Sequence, residues 1–186
     1  MKAPRFLVVL MVLMPLAASA EIYKIDSARS RIAFSLHQFL SSVQGEFHRF
    51  SGTIEVNREH PEESSVITRI SIASIDTHIR KRDQHLLSSE FFDAAKFPEI
   101  TFKSRRVTHT GTNSADIVGD LTMHGVTREI TLNVQLLSND GSRWRVTTAP
   151  LRRSQFGLMF SKSAEMVSGI ADEVAVDIEI AADRDK

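Results

Sequence analysis

The clearest pattern in the chain is alternation with period two. From Val126 to Leu136 the even positions read Val126, Arg128, Ile130, Leu132, Val134 and Leu136. The odd positions read Thr127, Glu129, Thr131, Asn133 and Gln135. Successive side chains of a strand point to opposite faces, so this is a strand with one apolar and one polar face. Val174, Val176, Ile178 and Ile180 repeat the pattern against Asp177 and Glu179. Residues 22–25, 31–39, 45–57, 66–74, 99–107, 115–123 and 143–153 read as further strands. Turn signals separate several of them: Asn139-Asp140-Gly141, His124-Gly125 and residues 111–114. Strands that follow one another without crossover helices predict a mainly β fold, an antiparallel barrel or sandwich.

One segment departs from that period. Over residues 76–89, Asp76 or Thr77 can cap a helix, and Ile79, Asp83, Leu86 and Leu87 follow at helical spacing. This predicts a helix inside a strand-to-strand connection, lying over one end of the sheet. There is no internal repeat or linker, so residues 21–186 are expected to form one domain.

Residues 1–20 read differently. Lys2 and Arg5 precede an apolar run from Phe6 to Leu16, and Ala18-Ser19-Ala20 offers small residues for cleavage. This is the pattern of a secretory signal peptide; the run is short of the ~20 residues a spanning helix needs. Its removal turns a formal charge of zero into one of −2. The mature chain is therefore expected in the periplasm, with no polybasic anchor and no general attraction to nucleic acid. The absence of cysteine excludes disulfides, thiolate chemistry, cysteine-ligated zinc and an acylated N-terminal cysteine.

Motifs that carry chemistry are few. The seven histidines form neither a His-x-x-x-His nor a His-x-His pair, so no metal and no cofactor are expected. No Gly-x-Ser-x-Gly turn, phosphate loop or dinucleotide fingerprint occurs, and no catalytic residue is assigned. Arg80-Lys81-Arg82 and Arg152-Arg153 are short basic clusters without interleaved aromatics. The informative residue is phenylalanine: eleven, or ten beyond Phe6 of the leader, against one Trp and one Tyr. They group as Phe34, Phe39, Phe47 and Phe50, then Phe91, Phe92, Phe97 and Phe102, then Phe156 and Phe160. Phe offers a large apolar ring with no polar handle, suited to lining a dry pocket or to filling a barrel.

Several motifs, taken in order, resemble one family. They are Tyr23-Lys-Ile-Asp-Ser27, Ile32-x-Phe34 with His37, and Gly45-x-Phe47-x-x-Phe50-x-Gly52. Ser74-Ile-Asp76-Thr77, Arg82-Asp-Gln-His-Leu86, Ser89-Glu-Phe-Phe-Asp93 and Phe97-Pro-Glu-Ile-Thr-Phe102 follow. Gly119-Asp-Leu-Thr-Met-His-Gly125 and Arg153-Ser-Gln-Phe-Gly-Leu158 complete the set. The chain resembles the YceI-like family of periplasmic polyisoprenoid-binding proteins. That resemblance implies an extended, lipocalin-like antiparallel β-barrel of about eight strands with a helix in one connection. It also implies a long isoprenoid or other lipid-like chain held in the cavity, and the function expected is to bind, and carry or store, an isoprenoid or quinone-like lipid. Contact with membranes would be transient, and a homodimer is among the expectations because some members are dimers.

Apolar identity within the matched motifs marks Phe34, Leu36, Phe47, Phe50, Ile54, Leu86, Phe91, Phe92, Phe102, Leu121, Phe156, Leu158 and Met159 as ligand-binding candidates. Arg153 and His124 are candidates for the head-group end. Two rival readings make distinct predictions. An enzyme acting on a bound lipid would use His37 or His124 as base. A structural or stress-related domain would have a filled barrel and no cavity.

Overall fold

The computed structural model describes residues 20–39, 41–159 and 169–185. The expected leader, apart from Ala20, and Phe160 lie outside the described residues. The strands are β1 (Glu21–Ile25), β2 (Arg31–Gln38), β3 (Ser41–Phe47), β4 (Phe50–Val56), β5 (Ser65–Ser71), β6 (Ile75–Asp76), β7 (Glu99–Gly111), β8 (Ser114–Met123), β9 (Val126–Leu136), β10 (Arg143–Thr148), β11 (Leu151–Arg152) and β12 (Glu173–Arg184). One α-helix, α1 (Arg80–Leu87), lies between β6 and β7.

Twelve strands make eight staves of a closed barrel, because several staves are interrupted. β12 pairs with β1 through Ile25↔Ala182 and, further along, with β2 through Ile32↔Ile178. β4 lies on β1 and β3 on β2, so β1 with β2, and β3 with β4, each act as one bent stave. β5 continues through a short 3-10 turn into β6, and β11 extends the line of β10 along β12. All pairings are antiparallel. Closure satisfies the backbone groups that an open sheet leaves along its edges.

The interruptions have local causes. Residues 45–57, expected as one strand, break at His48 and Arg49. There the His48 amide donates to Ser74 (3.2 Å) and the Arg49 carbonyl accepts from Ser71 (2.9 Å). Those bonds draw the chain toward the 3-10 turn between β5 and β6 and out of the regular ladder. Residues 143–153 likewise split into β10, β11 and a 3-10 turn at Arg153–Phe156. The β8–β9 hairpin turns on His124 and Gly125, both with positive φ (52° and 73°). That is the geometry a two-residue hairpin of right-twisted strands requires.

The helix is shorter than expected and starts later. Ile79 occupies its N-cap position, and no side chain caps it there. Neither Asp76 nor Thr77 is the cap: His78 takes a left-handed φ of 63° and separates them from the helix. Asp83 reaches back instead, accepting from the Thr77 amide (2.9 Å) and hydroxyl (2.6 Å). Thr77 is buried, so this carboxylate ties α1 to the end of β6.

An apolar lumen as the candidate binding site

Alternation decides which side chains enter the barrel. On β9, Ile130, Leu132, Val134 and Leu136 face inward; on β12, Val174, Val176, Ile178 and Ile180 do. On β8 the inward set is Ala115, Ile117, Leu121 and Met123. Inward residues of β9 are only half-buried, although they point away from bulk solvent. They border a cavity of about 890 Å³ that runs through the barrel. A filled barrel, one of the rival expectations, would have no such space.

β7 shows how the wall stays apolar. Ile100 and Phe102 line the cavity on even positions, but Val107 and His109 line it on odd ones. The register shifts between Ser104 and Arg106, a β-bulge. An extra residue re-aims the strand, which sends Val107 inward and leaves Arg106 exposed on the outside. Strict alternation would have put Arg106 into the lumen.

Glycines let aromatic rings lie flat against the wall. A Cβ at Gly119 would sit 2.5 Å from Phe102 Cζ, and one at Gly45 2.5 Å from Phe34 Cζ. Each ring therefore covers a backbone where no side chain could fit. Phe34 also packs on Phe47 with centroids 5.6 Å apart, and Phe91 meets Phe92 edge-on at 5.2 Å.

Of the sequence candidates, Phe34, Leu36, Phe47, Ile54, Leu86, Phe91, Phe92, Phe102, Leu121 and Leu158 line the lumen together. Phe50, Phe156 and Met159 do not. Phe50 is buried in the core beside Ile70, its cross-strand partner, and Phe156 is 1% exposed within the Arg153–Phe156 turn. Met159 is instead exposed, with its sulfur 3.7 Å from Arg153 Nη1. Apolar identity selects residues that avoid water. It does not separate packed core from lumen wall.

The polar candidates behave differently from each other. Arg153 is buried and borders the lumen. Its guanidinium donates to the carbonyls of Ala171 (2.9 Å), Leu158 (3.0 Å) and Ile170 (3.1 Å), clamping segments on either side of residues 160–168. His124 lies off the lumen: its Nδ1 donates to the Phe156 carbonyl (3.2 Å), and its ring meets Phe97 edge-on at 5.0 Å. His37 is exposed on β2, between the inward residues Leu36 and Gln38. Neither histidine suggested as a base therefore borders the cavity. Among the described residues, no group of three His, Cys, Asp or Glu could hold a metal ion.

Sequence reasoning missed the polar residues at the two ends. Asn57, Arg58, His109 and Asn113 line one end; Gln38, Arg82 and His85 line the other. Arg58 is engaged by Glu21, donating from Nη2 at 2.9 Å and Nε at 3.1 Å. This contact holds the Glu21 carboxyl below its usual range, aided by the Tyr23 hydroxyl, which donates to it at 2.8 Å. Burial pushes the Tyr23 phenol up. Arg82 donates to the Thr77 hydroxyl (2.8 Å) and carbonyl (2.7 Å). Arg82 and His85 stand in a matched motif, but no local signal places any of these side chains at the lumen, because that position is set by the closing of the barrel.

Residues 23–182 match the YceI-like domain. The chain belongs to the YceI-like family. A UPF0312 protein of Vibrio parahaemolyticus is 36% identical over 134 residues, 70% of this chain and 71% of that protein. Protein YceI of Salmonella newport is 37% identical over 131 residues, 69% and 68% of the two chains. The crystal structure of Burkholderia cenocepacia BcnA superposes with a TM-score of 0.77 at 25% identity, covering 86% of this chain and 99% of that one. A polyisoprenoid-binding domain from Saccharophagus degradans, implicated in plant cell wall breakdown, gives a TM-score of 0.66 at 20% identity, covering 88% and 98%. The YceI-like barrel expected from the motif order is thus the fold of this chain, helix included.

Proposed function

We propose that the lumen binds one long, slender lipid of the polyisoprenoid or quinone-like class and that the protein carries or stores it in the periplasm. The observation that carries this reading is the apolar tunnel of about 890 Å³. At roughly 30 Å³ per non-hydrogen atom, the share of a water in the liquid, it has room for about thirty such atoms. The S. degradans relative, described as a polyisoprenoid-binding domain, supports the ligand class. The leader-like first twenty residues support export.

The energetics favour exchange with a membrane. Burying a CH₂ from water is worth about 0.8 kcal/mol, so transferring a chain of tens of carbons from water would exceed the ~18–21 kcal/mol seen for the tightest complexes. Transfer from a bilayer is different: the chain leaves one apolar medium for another, and most of that term cancels. Loading and release can then both proceed.

The test is solvent extraction of natively exported protein followed by mass spectrometry. The expected result is a prenyl or quinone lipid at about one per chain. Lipid-free protein from several independent preparations would refute the reading.

A further inference from the structure

We propose that the barrel docks on an anionic bilayer with the end that bears α1, and that lipid passes through the lumen mouth at that end. This rests on the lipid-binding reading of the lumen and specifies where exchange takes place.

Both ends of the lumen reach the surface. Exposed Arg58 and Asn113 line it at one end and exposed His85 at the other. Their surroundings differ. Phe39 (68% exposed) and Ile79 (51%) are the most exposed large apolar side chains among the described residues, and both belong to the α1 end with Met159 (42%), against Leu137 (44%) and Ile22 (39%) at the opposite end. Each adjoins the lumen wall. Phe39 follows Gln38, Met159 follows Leu158, and Ile79 caps the helix that supplies Arg82, His85 and Leu86. Phe39 takes a left-handed φ of 50°, rare for a bulky residue, and its amide bonds to the Gly169 carbonyl (3.1 Å).

Charge separates the two ends further. Arg80 and Lys81 are exposed on the first turn of α1, and neither pairs with a carboxylate among the described residues. Of the carboxylates at this end, Glu173 pairs with Arg152, Glu90 lies 3.5 Å from His85 and Asp76 lies beside His48 and His78, while Asp83 and Asp172 accept from the Thr77 and Ser154 hydroxyls and keep their charge. The opposite end presents Glu59, Glu62, Glu63 and Asp140 beside exposed Arg143; Glu62 lies against His60, Glu63 accepts from Asn57, and Asp140 accepts from Ser138 and Ser142. Scattered apolar side chains on a surface mean little. Apolar side chains beside unpaired cations at the mouth of an apolar tunnel match the interface of an anionic membrane, where rings enter the acyl boundary and cations meet head groups. An acidic end would be repelled.

The test uses flotation with vesicles of equal parts phosphatidylglycerol and phosphatidylcholine, against phosphatidylcholine alone. A fluorescent long-chain prenol in the vesicles reports transfer. Wild-type protein should bind the anionic vesicles, and less so at high salt. Arg80→Ala with Lys81→Ala should weaken binding about 25-fold, at roughly fivefold per cation. Phe39→Asp with Ile79→Asp should slow prenol transfer by a similar factor. Glu59→Gln with Glu62→Gln, at the far end, should cost neither. Unchanged thermal midpoints and unchanged content of native lipid show that the lumen is intact in each variant. Wild-type rates in both α1-end variants, or a loss confined to the far-end variant, would overturn the docking assignment. So would wild-type protein that carries stoichiometric lipid yet floats with neither vesicle, which would point to a protein acceptor. Absence of lipid in every native preparation would refute the lipid-binding reading itself, which the flotation arm leaves untouched.

Discussion

Leu132→Asp separates the empty barrel from the loaded one. Leu132 lies on β9 opposite Ile117 of β8 and Thr148 of β10, and its side chain borders the lumen while only half-buried. In the empty protein a carboxylate there would face lumen water and titrate near its ordinary value of ~3.9. Folding should cost little beyond the poor strand propensity of Asp, ~1 kcal/mol, or a fall of roughly 2–4 °C in thermal midpoint. With hydrocarbon filling the lumen, the carboxylate meets what amounts to a bilayer interior. Asp costs ~2.5–3.5 kcal/mol there, and losing the Leu contact adds to it. Affinity for a fluorescent prenol should therefore fall by about two to three decades at neutral pH, at 1.4 kcal/mol per decade.

The same cost sets a pH dependence. About 3 kcal/mol is roughly two pKa units, so the loaded-state pKa would stand near 6. A pKa raised by binding means that the loaded state takes up a proton. Affinity is then lost above pH ~6 and recovers as pH falls toward ~4. Leu132→Asn should show a loss without that recovery. Prenol titration across this range, with thermal scans of the same samples, measures both. Wild-type affinity at neutral pH in folded Leu132→Asp protein would refute the lumen as the lipid site.

Other perturbations address the wall and its supports. Gly119→Val would drive a side chain into Phe102 and the Lys103 carbonyl; a cost of ~1–3 kcal/mol should lower the thermal midpoint by several degrees. Arg153→Met would leave the Leu158, Ile170 and Ala171 carbonyls without their donor. A loss of about 3 kcal/mol or more is expected in urea unfolding, and Arg153→Lys should not restore it because an ammonium cannot reproduce the guanidinium fork. Asp140 accepts from the hydroxyls of Ser138 and Ser142 and from the Ser142 amide, which brings its pKa from 3.8 to about 2. A depressed carboxylate stabilises the fold above its unfolded pKa and ceases to do so as pH falls through the folded value. Asp140→Asn should remove that part of the decline in thermal midpoint between pH 3.8 and about 2.

Much of the barrel was legible in the chain. The alternation from Val126 to Leu136 predicts β9 with its observed bounds, and the inward face is the apolar one. A strand's period is local, so sequence alone reveals it. The departure from that period also located α1, although only tertiary contacts explain its late start, through Asp83 and buried Thr77. Motif order pointed to the family because it preserves the spacing of turns and anchors along the whole chain.

Height along the barrel and closure of the wall were decided by tertiary structure. Phe50 and Phe102 look alike in sequence, yet one packs into core and the other lines the lumen. The bulge between Ser104 and Arg106 reverses the inward parity of β7, and nothing in the residues 99–107 announces it. The polar ends, with Arg58 held by Glu21 and Arg82 by Thr77, join residues far apart or across a turn. The physical reason is common to all three. Alternation fixes a side chain relative to its own strand, whereas its depth, its register and its partner follow from how the eight staves close on one another.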